Sequence, residues 1–171
     1  MRSGRTQVTV LVSLLAAVMI AWMVGPAIQH SAAQEQVAVA KFDPSRDAAR
    51  DLRDAISEAG RTGKRVLVDV GGEWCVWCRR LDSLFAGNRA LNEFRAAHYV
   101  TIKVNWSKEN KNEAVLSRFP KVAGYPHLFV LESDGSLLHS QDTGELEKGK
   151  GHDPAQVMVF LQKWAARKGT P

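Results

Sequence analysis

The chain carries only two cysteines, Cys75 and Cys78, with Val76 and Trp77 between them. Directly before them runs Val66-Leu67-Val68-Asp69-Val70, an apolar, β-branched stretch with the length of a buried strand. Gly71-Gly72 breaks that strand, and a helix is expected from Cys75 through about Phe85. The pair therefore falls at a strand-to-helix junction, where unpaired N–H groups and the helix dipole favour an anion. A thiolate placed there is stabilised, and its pKa falls from ~8.5 into a range of about 3.5–7.5. A structural staple is the competing reading, but a disulfide closing so short a loop restrains the unfolded chain very little. Spacing and context favour redox chemistry. Cys75 is expected to be the more exposed, attacking thiol, and Cys78, one turn in, the partly covered resolving thiol.

The N-terminus bears on where such chemistry takes place. Arg2 and Arg5 precede a nearly unbroken apolar run from Val8 to Ile28, and Ser31 and Ala33 are small residues suited to cleavage before Gln34. Residues 1–33 read as a cleaved signal peptide or, because the run approaches the ~20 residues that span a bilayer, as an uncleaved membrane anchor through residues 8–28. Both readings place residues 34–171 outside the cytoplasm, in the periplasm or an equivalent space. The net charge of +5 is spread along the chain without a basic stripe interleaved with aromatics, so nucleic acid is not an expected partner.

Beyond residue 33, helical and strand patterns alternate. Val37, Val39 and Phe42 suggest a short edge strand, and Asp43-Pro44-Ser45 is a helix-start signal before Ala48, Leu52, Ala55, Ile56 and Ala59 at helical spacing. A second helical stretch covers Asn88 to His98, a strand Tyr99 to Val104, and a short helix Asn112 to Phe119. His127 to Leu131 and Leu137 to Gln141 flank the turn Ser133-Asp134-Gly135 as a hairpin. Glu145 to His152 reads as a loop, and Asp153-Pro154 opens a final helix. The order implies an α/β fold, a central mixed β-sheet flanked by helices on both faces.

The stretch from Leu67 to Cys78, with Trp74-Cys75-Val76-Trp77-Cys78 at its end, resembles the active-site strand and helix start of the thioredoxin superfamily, in particular its periplasmic thiol:disulfide interchange proteins. The resemblance covers Lys41 to about Lys168 and implies a thioredoxin-like domain over 34–171. It also implies a catalytic role for Asp69, six residues before Cys75, as a buried aspartate exchanging protons with the resolving cysteine. From the residues alone, a carboxylate in an apolar strand has a raised pKa suited to acid–base work; a solvent-facing Asp69 at a strand end is the alternative. Lys103 resembles the lysine that pairs with that aspartate; a surface lysine is the alternative. Pro126, in Gly124-Tyr125-Pro126, resembles the cis-proline facing the cysteines, where Tyr125 backbone can pair with an extended substrate; a trans turn proline is the alternative. Trp74 is expected to pack beneath the site and Trp77 to be exposed as a substrate contact.

The family's activity would need no cofactor beyond a redox-active Cys75–Cys78 disulfide. Val76-Trp77 puts no imidazole between the cysteines, which points to the reducing half of a range of about −270 to −120 mV. The resulting expectation is reduction or isomerisation of disulfides in exported proteins, with electrons from a membrane-bound thiol reductase. The alternative is a periplasmic copper carrier using Cys75, Cys78 and His127, since soft thiolates suit Cu(I). Otherwise His127 is a satisfied strand residue.

Overall fold

The computed structural model describes residues 40–167. The signal or anchor segment, Val37 and Val39 lie outside the described residues. Among those described, no helix is long and apolar enough to cross a membrane.

The first helix, α1 (Ala48–Thr62), is capped by Asp47, whose carboxylate accepts the N–H groups of Ala49 and Arg50. It stops at Gly63, which takes a left-handed φ of 67° and donates its N–H to Ala59 O. The start expected at Asp43-Pro44-Ser45 is displaced. Asp43 instead accepts from Ser45 N and Oγ and closes a local turn, leaving the cap to Asp47.

Strand β1 (Arg65–Gly71) leads through Trp74 and Cys75 into α2 (Val76–Gly87). Asn88 then separates α2 from α3 (Arg89–His98), its side chain accepting from Leu91 N. Strand β2 (Tyr99–Asn105) follows, then α4 (Glu113–Leu116), β3 (His127–Leu131) and β4 (Leu137–Asp142). The helix expected over Asn112 to Phe119 is thus a single turn, after which the chain passes through turns to Pro120. The expected loop from Glu145 holds part of a short 3-10 helix (Thr143–Leu146) and a two-stranded ribbon, β5 (Glu147–Lys148) with β6 (Gly151–His152). Helix α5 (Pro154–Trp164) is capped by Asp153.

The four main strands lie in the order β2-β1-β3-β4; β2 runs parallel to β1, while β3 is antiparallel to both its neighbours. Because side chains alternate across a strand, β1 serves two cores. Val66, Val68 and Val70 face α1 with Ile102, Val104 and Phe129, while Leu67 faces Leu81, Phe85, Leu91, Val157 and Leu161 of the helices on the other side. Each such buried side chain contributes roughly 1.5–3 kcal/mol relative to its exposed state. Tyr99 Oη donates to Leu161 O at 2.7 Å, fastening α5 to β2. The mixed sheet with helices on both faces is the architecture expected from the sequence.

Candidate active site

The two cysteines lie at the point where β1 ends and α2 begins. Cys75 is the N-cap of α2, and its sulfur accepts the Cys78 N–H at 3.1 Å. The two sulfurs are joined as a disulfide. Val76–Gly87 spans 12 residues, long enough for its dipole to act on a charge at that end. Cys75 Sγ also lies 3.5 Å from Tyr125 O. The Tyr125–Pro126 peptide bond is cis, and Pro126 O accepts from Thr143 Oγ1.

Both cysteines are buried, Cys75 at 4% exposure and Cys78 at 1%. Cys75 is the less buried of the two, in the expected order, but Phe42, Trp77 and Tyr125 pack around the pair and leave little of either exposed. The two tryptophans exchange the positions expected of them. Trp74 is 53% exposed, its indole N–H held by Trp106 O at 2.8 Å. Trp77 is half-buried, with the Arg80 guanidinium over its ring at 4.5 Å and His152 edge-on at 5.6 Å. The reason is the helix start: Trp74 precedes the first turn and swings out, whereas the first turn carries Trp77 against β6.

Beneath the disulfide lies a charged cluster. Asp69 and Lys103 stand opposite each other in the parallel register of β1 and β2. Lys103 Nζ donates to Asp69 Oδ2 at 2.8 Å and to Asp82 Oδ1 at 2.5 Å, and it sits 4.0 Å over the Phe42 ring. Asp69 and Lys103 are both buried, so neither the solvent-facing aspartate nor the surface lysine describes them. Asp69 Oδ1 has no hydrogen-bond partner among the described residues. Burial raises the Asp69 carboxyl above its ordinary range, against the pull of the Lys103 ammonium. For Lys103, burial lowers the pKa, but the carboxylates of Asp69 and Asp82 outweigh it and hold the ammonium charged.

Gly71 connects this cluster to the sulfurs. It follows Asp69 on the same face of β1, and a Cβ there would stand 2.5 Å from Cys78 Sγ and 3.2 Å from the Phe42 ring. Only a residue without a side chain lets Cys78 rest on the strand. A Cβ at Gly72 would likewise run into the Trp74 indole.

His127 does not join the sulfurs. It stands opposite Val70 on the α1 face, near Phe129, with Nε2 2.8 Å from Ser140 Oγ and Nδ1 buried without a partner among the described residues. Among the described residues no His, Cys, Asp and Glu side chains gather in threes as a metal-binding group.

Three residues of this site escaped the sequence reading. Asp82 carried a usable signal, since it lies four residues after Cys78 and hence on the same side of α2. Phe42, whose N–H donates to Glu73 Oε1, and Trp106, whose N–H donates to Gly71 O at 2.6 Å, reach the site only through tertiary packing.

A thioredoxin-like family model matches residues 47–133. The thiol:disulfide interchange protein DsbD of Pseudomonas fluorescens is 29% identical over 116 residues, which cover 67% of this chain and 18% of that protein. The disulfide bond reductase DsbH of Chlamydia pneumoniae is 24% identical over 77 residues, covering 40% of this chain and 46% of that one. The chain thus spans less than half the length of these relatives. Among solved structures, a disulphide isomerase from Xylella fastidiosa Temecula1 superposes with a TM-score of 0.64 at 26% identity, covering 71% of this chain and 94% of that one.

Proposed function

The chain belongs to the thioredoxin-like family, and on that footing we propose that it is a thiol–disulfide oxidoreductase that reduces or isomerises disulfides of exported proteins. The observation that carries this reading is the cysteine pair at the start of α2, with the Cys78 N–H directed at Cys75 Sγ and a buried carboxylate, Asp69, two residues before Gly71 on the same face of β1.

In the reduced protein the Cys75 thiolate attacks one sulfur of a substrate disulfide. A Cys75–substrate disulfide forms and the other substrate sulfur leaves as a thiolate, which takes up a proton. The Cys78 thiol then loses its proton and attacks Cys75 Sγ. The Cys75–Cys78 disulfide closes, the second substrate thiol departs, and two electrons have passed to the substrate. Asp69 Oδ1, buried and without a hydrogen-bond partner among the described residues, is the acceptor offered to the Cys78 proton, and Lys103 with the half-exposed Asp82 extends that route towards solvent. The cis Tyr125–Pro126 segment beside Cys75 receives the substrate backbone, and Trp74 and Trp77 flank it.

No cofactor is needed beyond the cysteine pair. A membrane-bound thiol reductase would return the disulfide to the dithiol, in keeping with the expected extracytoplasmic location and with a signal or anchor in residues 1–33. His127, turned to the α1 face, weakens the copper-carrier alternative.

Reduction of insulin in the presence of dithiothreitol, and reactivation of scrambled ribonuclease, test the proposal with the full chain. Catalysis above the dithiothreitol background supports it, and its absence in both assays removes it. A finer test is Asp69→Asn. A general base acts only when ionised, so resolution of the mixed disulfide should accelerate as pH rises through the elevated Asp69 pKa. The variant should lack that rise and resolve at least ~100-fold more slowly above it. Identical pH profiles in rapid-quench experiments would show that Asp69 takes no proton.

A further inference from the structure

The reactive sulfur and a large apolar cavity share one residue, Tyr125. Its carbonyl lies 3.5 Å from Cys75 Sγ, and its ring stacks on Trp106 at 4.9 Å between centroids. Behind that stack opens a cavity of about 540 Å³. Its floor is Val70 and Phe129 of the sheet, and its walls include Leu116, Phe119 and Val122. Those three wall residues are only half-buried, so apolar surface there remains open to water. The volume falls within the roughly 300–1,000 Å³ typical of built ligand sites. At the mouth stand Lys111, Lys121 and Glu113. Lys111 lies 3.9 Å from Glu113, whereas Lys121 is exposed with no carboxylate partner among the described residues. The mouth therefore carries one uncompensated cation.

We propose that this cavity selects the substrate: it takes an aromatic or large aliphatic side chain two residues from the target cysteine of an extended polypeptide, with a carboxylate two residues further on, on the same face, meeting Lys121. The inference rests on the oxidoreductase reading, which puts a substrate sulfur on Cys75 and its backbone along Tyr125. An extended chain advances about 3.3 Å per residue and returns to the same face every second residue, so that side chain stands about 7 Å from the target cysteine. A side chain at that spacing is the one directed past Tyr125, which lines the cavity, whereas the adjacent residue points to the opposite face. The wall residues lie on the α1 face and touch neither sulfur, so they govern which polypeptide is captured and not the exchange chemistry.

The test uses the full chain, reduced and freed of reductant, mixed with peptides whose single cysteine is blocked as a glutathione mixed disulfide. Protein dithiol and blocked peptide give protein disulfide, peptide thiol and glutathione, so electrons balance without another reagent. Peptides carry Trp, Leu or Ala two residues before or after the cysteine, with Glu or Lys a further two residues from the cysteine on the same side. The Trp and Leu peptides should react at least ~10-fold faster than Ala at one of the two positions, and faster with Glu than with Lys. Leu116→Trp, which fills the cavity, should bring the Trp-to-Ala ratio to within about twofold of unity. Lys121→Glu, at an exposed position, should invert the Glu-over-Lys order even if the first variant folds poorly. Equal rates for Trp, Leu and Ala peptides, or a preference unchanged in both variants, would overturn the pocket while leaving the oxidoreductase intact. A chain that reduces none of the peptides removes both.

Discussion

Replacing Cys78 by serine is expected to leave the protein joined to its substrates through Cys75, as adducts that run as high-mass bands on non-reducing gels and vanish with dithiothreitol. Cys75 would still sit at the N-terminus of α2 with the residue-78 N–H directed at its sulfur, so attack proceeds. What is lost is the second sulfur, one turn away, that would displace the substrate. Cys75→Ser should instead abolish turnover to background and give no adducts, because a serine hydroxyl at the same place is not ionised near neutral pH. Turnover surviving Cys75→Ser would end the proposed mechanism. Adducts forming with Cys75→Ser, but not with Cys78→Ser, would reverse the roles of the two sulfurs.

Lys103→Met should give the largest loss of stability outside the core. Asp69 lies buried with Lys103 as its only hydrogen-bonded charge partner among the described residues, so the substitution strands a carboxylate in an apolar strand. Breaking a buried pair from one side costs about 3 kcal/mol or more. The sign of the pH dependence follows from the direction of the Asp69 shift. The folded state binds this proton more tightly than the unfolded chain does, so stability falls as pH rises from the ordinary carboxylate range through the elevated folded value. Removing Lys103 removes the influence that held the pKa down, which widens that window. In urea titrations the deficit of Lys103→Met should therefore be greatest at pH 7 and shrink towards pH 5. Asp69→Leu combined with Lys103→Met should recover most of it. A deficit that is equal at both pH values would mean that Asp69 does not titrate as its burial dictates.

The strands of the sheet were legible from the sequence because their signal is local. Val66 to Val70, interrupted by Asp69 alone, and Leu128 to Leu131 are short apolar runs of strand length, and such runs form central strands. The site was legible where motif and strand register coincide: Cys75 and Cys78 at the helix start, Asp69 opposite Lys103, Pro126 before β3. It was not legible where the answer depends on what lies across the fold. Neither periodicity nor spacing indicates that Trp74 leans on Trp106 while Trp77 packs against His152, because those partners are 32 and 75 residues away in sequence. Asp43-Pro44-Ser45 and Asp47 offer competing helix caps within five residues, and composition alone does not rank them.

The placement of Phe42 has a bearing on how far this protein can be trimmed. Its ring fills the space between the Lys103 ammonium and Cys78, although it precedes the 47–133 span that defines the family match. Val157, Phe160 and Leu161, beyond the other end of that span, fill the core around Leu67 on the same face of β1. The smallest autonomous unit therefore runs from before residue 42 to past residue 161, and a fragment cut to the shared span would have a hole beside its sulfurs and, on the same face of the sheet, a bare stretch around Leu67.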